Sequence, residues 1–531
     1  MLNKNNFTKF PSKFTIVIIT FFISTIFLIP FKESHNIHDS LKITNGIASG
    51  DVTKNSTIIW SKSNAQSIMN VSYNKSNDLL NNSSTNIVLK TLVNSSTDFA
   101  GHVKLINLKS NTTYYYKVWF TDLNNSSLKS DYKTGKFITS PNENEPTEID
   151  FVIAGDLGGA TLCRQQEIGY PIFSIMKFTK PDFFVFNGDQ IYADGTCNDL
   201  TADLVKNNYR YWQNIEGDFK RVNDIDWNDQ DSLNETFLQH WEYNRDDPHL
   251  QNFLNDTSMY SQSDDHEVID NYGNWSFYEV SKDPNERNKS GYANLVKTGV
   301  KYFFEFSPIE KNKERPDQIY RMFHWGKNLD LFLLDAHSYR SVNILPDTVQ
   351  NNKTLYGKQQ LDWLKNKLLS STATWKIISN PIPITIPDCI GFMQACNNWA
   401  TNNASNTLTF TNERNQFLKF LDERNIKNLI FLTTDVHYAA TVKVSQDFDR
   451  DGDSFTFYEM TNGPLSVYTG DKPYPLDPTI NATYIYSESA LFNFGHVKIE
   501  KEKDDRYHFI YEVIDSNNRI RPNSTINLIP K

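Results

Sequence analysis

The chain has 531 residues, 39% of them hydrophobic and 14% aromatic, with a mean hydropathy of -0.54. That length exceeds what one compact core accommodates, and the hydropathy argues against a polytopic membrane protein. Lys and Arg number 53 against 63 Asp and Glu, a net charge of -10; this disfavours a nucleic-acid surface and leaves room for a carboxylate-rich cation site.

The first element is the apolar run FTIVIITFFISTIFLIPF, residues 14–31, preceded by Lys4, Lys9 and Lys13. Its 18 residues meet the lower limit for a membrane-spanning helix and exceed the usual signal-peptide core of ~7–15 residues. No A-x-A cleavage site follows. Residues 1–35 therefore read as a basic cytoplasmic tail with a membrane anchor, a cleaved signal being the alternative. Either way the positive flank stays inside and the rest reaches the extracellular face. Four cysteines, Cys163, Cys197, Cys389 and Cys396, fit two disulfides outside the cell. The most local pairing joins Cys163 to Cys197 and Cys389 to Cys396. Sequons at Asn55, Asn70, Asn74, Asn82, Asn94, Asn111 and Asn125 hint at glycosylation, although an Asn-rich chain also makes them by chance.

Residues 42–140 read as a β-sandwich. Short runs such as STIIWSKS, IMNVSYNKS, TNIVLKTLV and YKTGKFITS are separated by Asn/Ser turns. The stretch LKSNTTYYYKVWF resembles a fibronectin type III or immunoglobulin-like domain. PNENEPTE, residues 141–148, is a polar linker. From 149 to 531 the pattern changes to continuous apolar strands, IDFVIAGD, PDFFVFNGD, NLDLFLLDAH, TWKIISNPIPI and NLIFLTTDVH, with helices such as TNERNQFLKFLDER between them. Such alternation predicts a largely parallel sheet flanked by helices, with ligands at the carboxyl ends of the strands. Asp156, Asp189, Asp335 and Asp435 stand at those ends. The insert 200–262, with Tyr209, Tyr211, Trp212, Trp227, Trp241 and Tyr243, is a candidate substrate lid, packing as core being its plainer reading. DFDRDGDSF, residues 447–455, begins like a calcium loop but lacks the Glu at its twelfth position, so a hairpin turn is expected, with a structural calcium as the alternative.

One aspartate at a strand end is an ordinary turn residue. Asp156, Asp189, Asp265 and Asp435 converging with Tyr192, His266 and His437 would repel one another unless cations joined them. Oxygen donors suit Ca, Mg, Mn or ferric iron, and His437 widens the choice to zinc. No P-loop, G-x-S-x-G or H-E-x-x-H motif points to another chemistry.

The ordered motifs AGDLGG, NGDQIYAD, DDHE and TDVH resemble those of the calcineurin-like metallophosphoesterases. With GIASGDVTKNSTIIWSK, HWEYNRDDPHL and LLDAHSYR added, the chain is similar to the alkaline phosphatase D family from residue 45 onward. The resemblance implies a metallophosphoesterase sandwich of two mixed sheets flanked by helices, behind an all-β domain. It implies Asp189 as the carboxylate bridging two metals, Tyr192 as a tyrosinate on ferric iron, and Asp156, Asp435 and His437 as further ligands. Asp156 departs from that family, which usually has Cys there, and GDLGG is closer to the purple acid phosphatases. Asp265 falls on the second-metal ligand, with Asn271 and Asn380 as other candidates, and His266 on the catalytic histidine. Arg340 would bind phosphate, or else pair with Asp335 as a structural ion pair; His337 stands where the family commonly has Arg. The expected cofactor is a binuclear or trinuclear centre of Fe3+ with Ca2+, or with Mg2+, Mn2+ or Zn2+. The substrate would be a small-molecule or lipid phosphate ester, mono or di. The alternatives are a phospholipase- or nuclease-type diesterase, and a non-catalytic surface protein with structural metals.

Overall fold

The computed structural model describes residues 40–76, 87–197, 215, 217, 219–273, 291–390 and 394–531. The apolar run at 14–31 lies outside them, as do Asn82, Tyr209, Tyr211 and Trp212. No helix among the described residues is long and apolar enough to cross a membrane.

Two large mixed sheets face each other. The first has nine strands, in the order Ile526–Leu528, Tyr507–Asp515, Asn493–Lys501, Ile149–Ala154, Phe183–Asn187, Ser258–Gln262, Ile43–Gly50, Thr57–Ser63 and Ala100–Leu105. Ile149–Ala154, Phe183–Asn187, Ser258–Gln262 and Ile43–Gly50 run parallel. The second has seven strands, in the order Arg321–Trp325, Leu329–Leu333, Trp375–Ser379, Leu429–Thr433, Phe455–Thr461, Ala439–Gln446 and Ala482–Glu488. Its middle strands, from Leu329–Leu333 to Phe455–Thr461, are parallel.

Runs such as FFVFN and LIFLT are buried throughout, which suits strands covered on both faces. Phe151, Ile153, Phe183 and Val185 of one sheet meet Leu331, Leu333, Ile377 and Leu432 of the other. The outer faces carry the helices. Ile172–Thr179, Gln230–Arg245, Pro248–Asp256 and Tyr292–Phe306 supply the core over the first sheet; Gly357–Ser370 and Thr411–Glu423 supply it over the second. Trp227, Trp241 and Tyr243 of the insert belong to the buried interior, so these aromatics pack as core and not as a lid. DFDRDGDSF forms the turn of a hairpin in which Gln446 opposes Phe455, as expected.

The segment 42–140 differs from a free-standing sandwich. Ile87–Val93, Ser67–Asn74, Thr113–Thr121 and Lys133–Ile138 make a separate four-stranded sheet, but the remaining three strands extend the nine-stranded one. Gly50 pairs with Met259 in parallel register, and Ser49 Oγ meets Ser258 Oγ at 2.9 Å. A Cβ at Gly50 would lie 2.5 Å from Pro308 Cγ and 2.7 Å from the Met259 carbonyl; only glycine permits that approach. Nearby, the Arg321 guanidinium clasps Asp51 at 2.8 Å.

Candidate metal centre

The site lies where parallel strands of both sheets end. Ala154, Asn187, Gln262, Thr433 and Ser379 are the last residues of their strands; Asp156, Asp189, Asp264, Asp265, Asp435 and Asn380 follow within three positions. Gly155 makes the convergence possible, since a Cβ there would meet the Asn187 and Gly188 carbonyls at 2.8 and 2.9 Å. Several of these residues turn the chain in the left-handed region, with φ of 56° at Asp156, 50° at Asp189, 77° at Asp435 and 57° at His437. Asp, Asn and His tolerate that conformation better than most side chains.

Beneath the loops, Glu267 accepts from the amides of Gln190 at 2.6 Å, Asp264 at 2.8 Å and Asp189 at 3.3 Å. Read from sequence as the end of the DDHE motif, it is the buried post that fixes two strand ends. The disulfide Cys163–Cys197 ties the segment after Asp156 to that after Asp194, and Cys389–Cys396 closes a short hairpin beside Asp388.

Metal-binding atoms of Asp156, Asp189 and His437 lie within 4.8 Å of one another, and so do those of Asp189, Asp265 and His266. The two groups share Asp189, the residue assigned a bridge. Tyr192 Oη stands 3.1 Å from His437 Nε2, which sets the phenol beside the first group. Asp264, which the sequence reading passed over, forms a third group with Asp265 and His337. It bonds His337 Nε2 at 2.7 Å. Asp435 stands outside all three groups, its amide donating to Asp156 Oδ1 at 3.2 Å.

Buried oxygens of Asp156, Asp264, Asp265, Asn271 and Asn380 have no hydrogen-bond partner among the described residues. Burial pushes the carboxyls of Asp156, Asp189, Asp264 and Asp435 well above the usual carboxylate range, and neighbouring carboxylates add to it. Acceptors buried without donors, and acids crowded without counter-charge, fit bound cations. Burial, with His266 adding to it, lowers the His437 imidazole to about 3; neutral imidazole is the ligating form.

His266 has a different partner. Its Nδ1 is 2.7 Å from Asp194 Oδ1, and the other Asp194 oxygen accepts the Asp270 amide at 2.9 Å. Asp194 belongs to no cation group among the described residues, and the sequence reading gave it no role. Arg340 does not pair with Asp335. Its Nη1 donates to Asn397 Oδ1 at 2.5 Å and its Nη2 to the Asn397 carbonyl. Asp335 Oδ1 instead accepts the His337 and Ser338 amides at 3.1 and 3.0 Å. Asp335 belongs to no cation group among the described residues.

The family profile described as PhoD-like phosphatase matches residues 159–506, and that for its N-terminal domain matches residues 32–141. Alkaline phosphatase D of Bacillus subtilis (strain 168) is 25% identical over 439 residues, covering 77% of this chain and 67% of that protein. Among solved structures, one titled Structure of PhoD aligns with a TM-score of 0.70 at 17% identity, over 92% of this chain and 94% of that one. A purple acid phosphatase, PPD1 from yellow lupin (Lupinus luteus) seeds, aligns with a TM-score of 0.56 at 12% identity, over 92% and 74%.

Proposed function

The chain belongs to the PhoD-like phosphatases and is a phosphoester hydrolase; from that premise we propose that it cleaves phosphate monoesters or diesters at a metal centre built on Asp189. The observation that carries the proposal is the pair of groups sharing that carboxylate. Asp156, Asp189, Tyr192 and His437 would hold ferric iron, which a phenolate and an imidazole favour. Asp189 and Asp265, with Asp435 and the Asn271 and Asn380 oxygens nearby, would hold calcium or another hard cation. Bound metals supply a Lewis acid for the phosphoryl oxygens and an activated water as nucleophile.

The chain's own residues manage the leaving group. A carboxylate can only accept, so the 2.7 Å contact makes His266 Nδ1–H the donor and Asp194 the acceptor. That leaves Nε2, 3.9 Å from Asp265 Oδ1, turned toward the acidic groups. In this position His266 gives a proton to the departing ester oxygen, or hydrogen-bonds to it, and Asp194 keeps the ring from rotating away. A purely structural site has no use for such a pair. Arg340 has no part in the proposal, its Nη groups being bonded to Asn397.

Residues 14–31 support export, with the enzyme working on the extracellular face of the membrane or secreted, on small-molecule or lipid esters. The test is elemental analysis of the purified protein beside a panel of mono- and diesters, for the parent and for Asp189→Asn. The variant should lose most bound metal and all turnover; full metal content with normal turnover overturns the assignment.

A further inference from the structure

The residues of the cluster are buried or nearly so, but Tyr468 is 43% exposed. It sits on the segment 463–470, which wraps the Asp156 corner. The amides of Leu465, Ser466 and Val467 approach the Asp156 carbonyl at 3.1, 3.3 and 3.4 Å, and the Gly470 amide donates to the His437 carbonyl at 2.8 Å. A Cβ at Gly463 would strike Asp156 Oδ2 at 2.3 Å, so the segment lies as close to the carboxylate as a backbone can. The His437 side chain also hydrogen-bonds the Tyr468 backbone.

The ring carried by this tied backbone meets His437 edge-on, with centroids 4.4 Å apart at 70°. The charges of His266, Asp270 and Asp435 all reach its phenol. Tyr468 therefore stands at the rim against His437, whose ring also neighbours Tyr192 at 6.4 Å, and the Tyr192 ring in turn lies 4.2 Å from that of His266. A firmly held, half-exposed aromatic ring offers apolar area at little cost in conformational freedom.

We propose that Tyr468 is a specificity-determining residue whose ring receives the alcohol portion of the substrate, so that esters of aromatic or heteroaromatic alcohols are preferred over alkyl esters. This rests on the phosphoesterase reading and on the role given to His266. It assigns Tyr468 no part in the chemical step, so its effect falls on KM and on the choice between esters.

The test compares an aryl phosphate with a fluoroalkyl phosphate of matched leaving-group acidity. Tyr468→Leu should lower the aryl-to-alkyl ratio of kcat/KM about threefold to tenfold, chiefly through KM, and Tyr468→Phe should restore it. Calorimetry on the parent enzyme gives a second measure without a variant: phenylphosphonate should bind tighter than methylphosphonate by a similar factor. An unchanged ratio in Tyr468→Leu, or equal affinity for the two phosphonates, overturns the assignment while leaving the phosphoesterase reading intact. Failure of the metal-loaded parent to cleave either ester strikes at that reading instead.

Discussion

Asp194→Asn tests the support of His266 without altering any residue assigned as a metal ligand. The replacement keeps an oxygen for the Asp270 amide, now 2.9 Å from Asp194 Oδ2, so the loop keeps its anchor. The amide nitrogen then faces His266 Nδ1, where a charged acceptor stood at 2.7 Å. To avoid two donors meeting, the imidazole must place its proton on Nε2 or swing away. The lost contact is charge-assisted, and its side chains are only 20% and 9% exposed, so water does little to screen it. Such bonds are worth ~1.5–3 kcal/mol, and at ~1.4 kcal/mol per decade kcat should fall about 10- to 150-fold. Steady-state rates on esters of graded leaving-group acidity, with metal content measured on the same samples, read this directly. The loss should be greatest for poor leaving groups, which need the proton, and metal content should not change. Equal loss on all esters, or a fall in activity that tracks a fall in metal, would refute the reasoning.

Two further outcomes follow from other parts of the molecule. Burial, then Asp189 and Asp156, raise the Tyr192 phenol well above its usual range, so it ligates as phenolate only to a strong Lewis acid. The iron-loaded enzyme should be violet, bleach on reduction and lose its colour in Tyr192→Phe; a colourless, fully active, iron-free enzyme would rule iron out. His102 donates to the Ser307 carbonyl at 2.9 Å, and burial, with Lys311 adding to it, lowers its ring from 6.5 to about 4. The native ring stays neutral while the unfolded one takes up a proton, so its contribution is full above pH ~6.5 and is lost as pH falls toward 4, by roughly 2–3 kcal/mol. Denaturant titrations from pH 7 to 4 should show a shallower decline for His102→Gln, which keeps a donor for Ser307; an identical decline would remove His102 from the acid response.

The meeting of Asp156 and Asp189 was legible because strand, turn and carboxylate are contiguous in sequence: IDFVIAGD and PDFFVFNGD each carry the apolar run and the acid it delivers. Asp194 was not legible, because four residues of irregular loop separate it from Asp189 and only the fold brings it to His266. Glu267 was visible as a motif letter, but its work on three backbone amides depends on burial that no local pattern reveals. The Arg340–Asp335 pairing failed for a related reason. Asp335 finds its donors two and three residues ahead, while Arg340 reaches across to Asn397. The parallel centre of each sheet was readable from unbroken apolar runs, whereas the sharing of a sheet between the N-terminal strands and Ser258–Gln262 was not, since one register pair at Gly50 decides it.

That shared sheet bears on attempts to trim the protein. Removing residues 42–140 would take away Ile43–Gly50 and leave Ser258–Gln262 as an open edge, its amides and carbonyls free to recruit another chain. Ser258–Gln262 is also the strand that delivers Asp264, Asp265 and His266. A truncated enzyme would therefore expose an aggregation-prone border and loosen its proton donor through the same strand, so a minimal active fragment must keep the N-terminal strands.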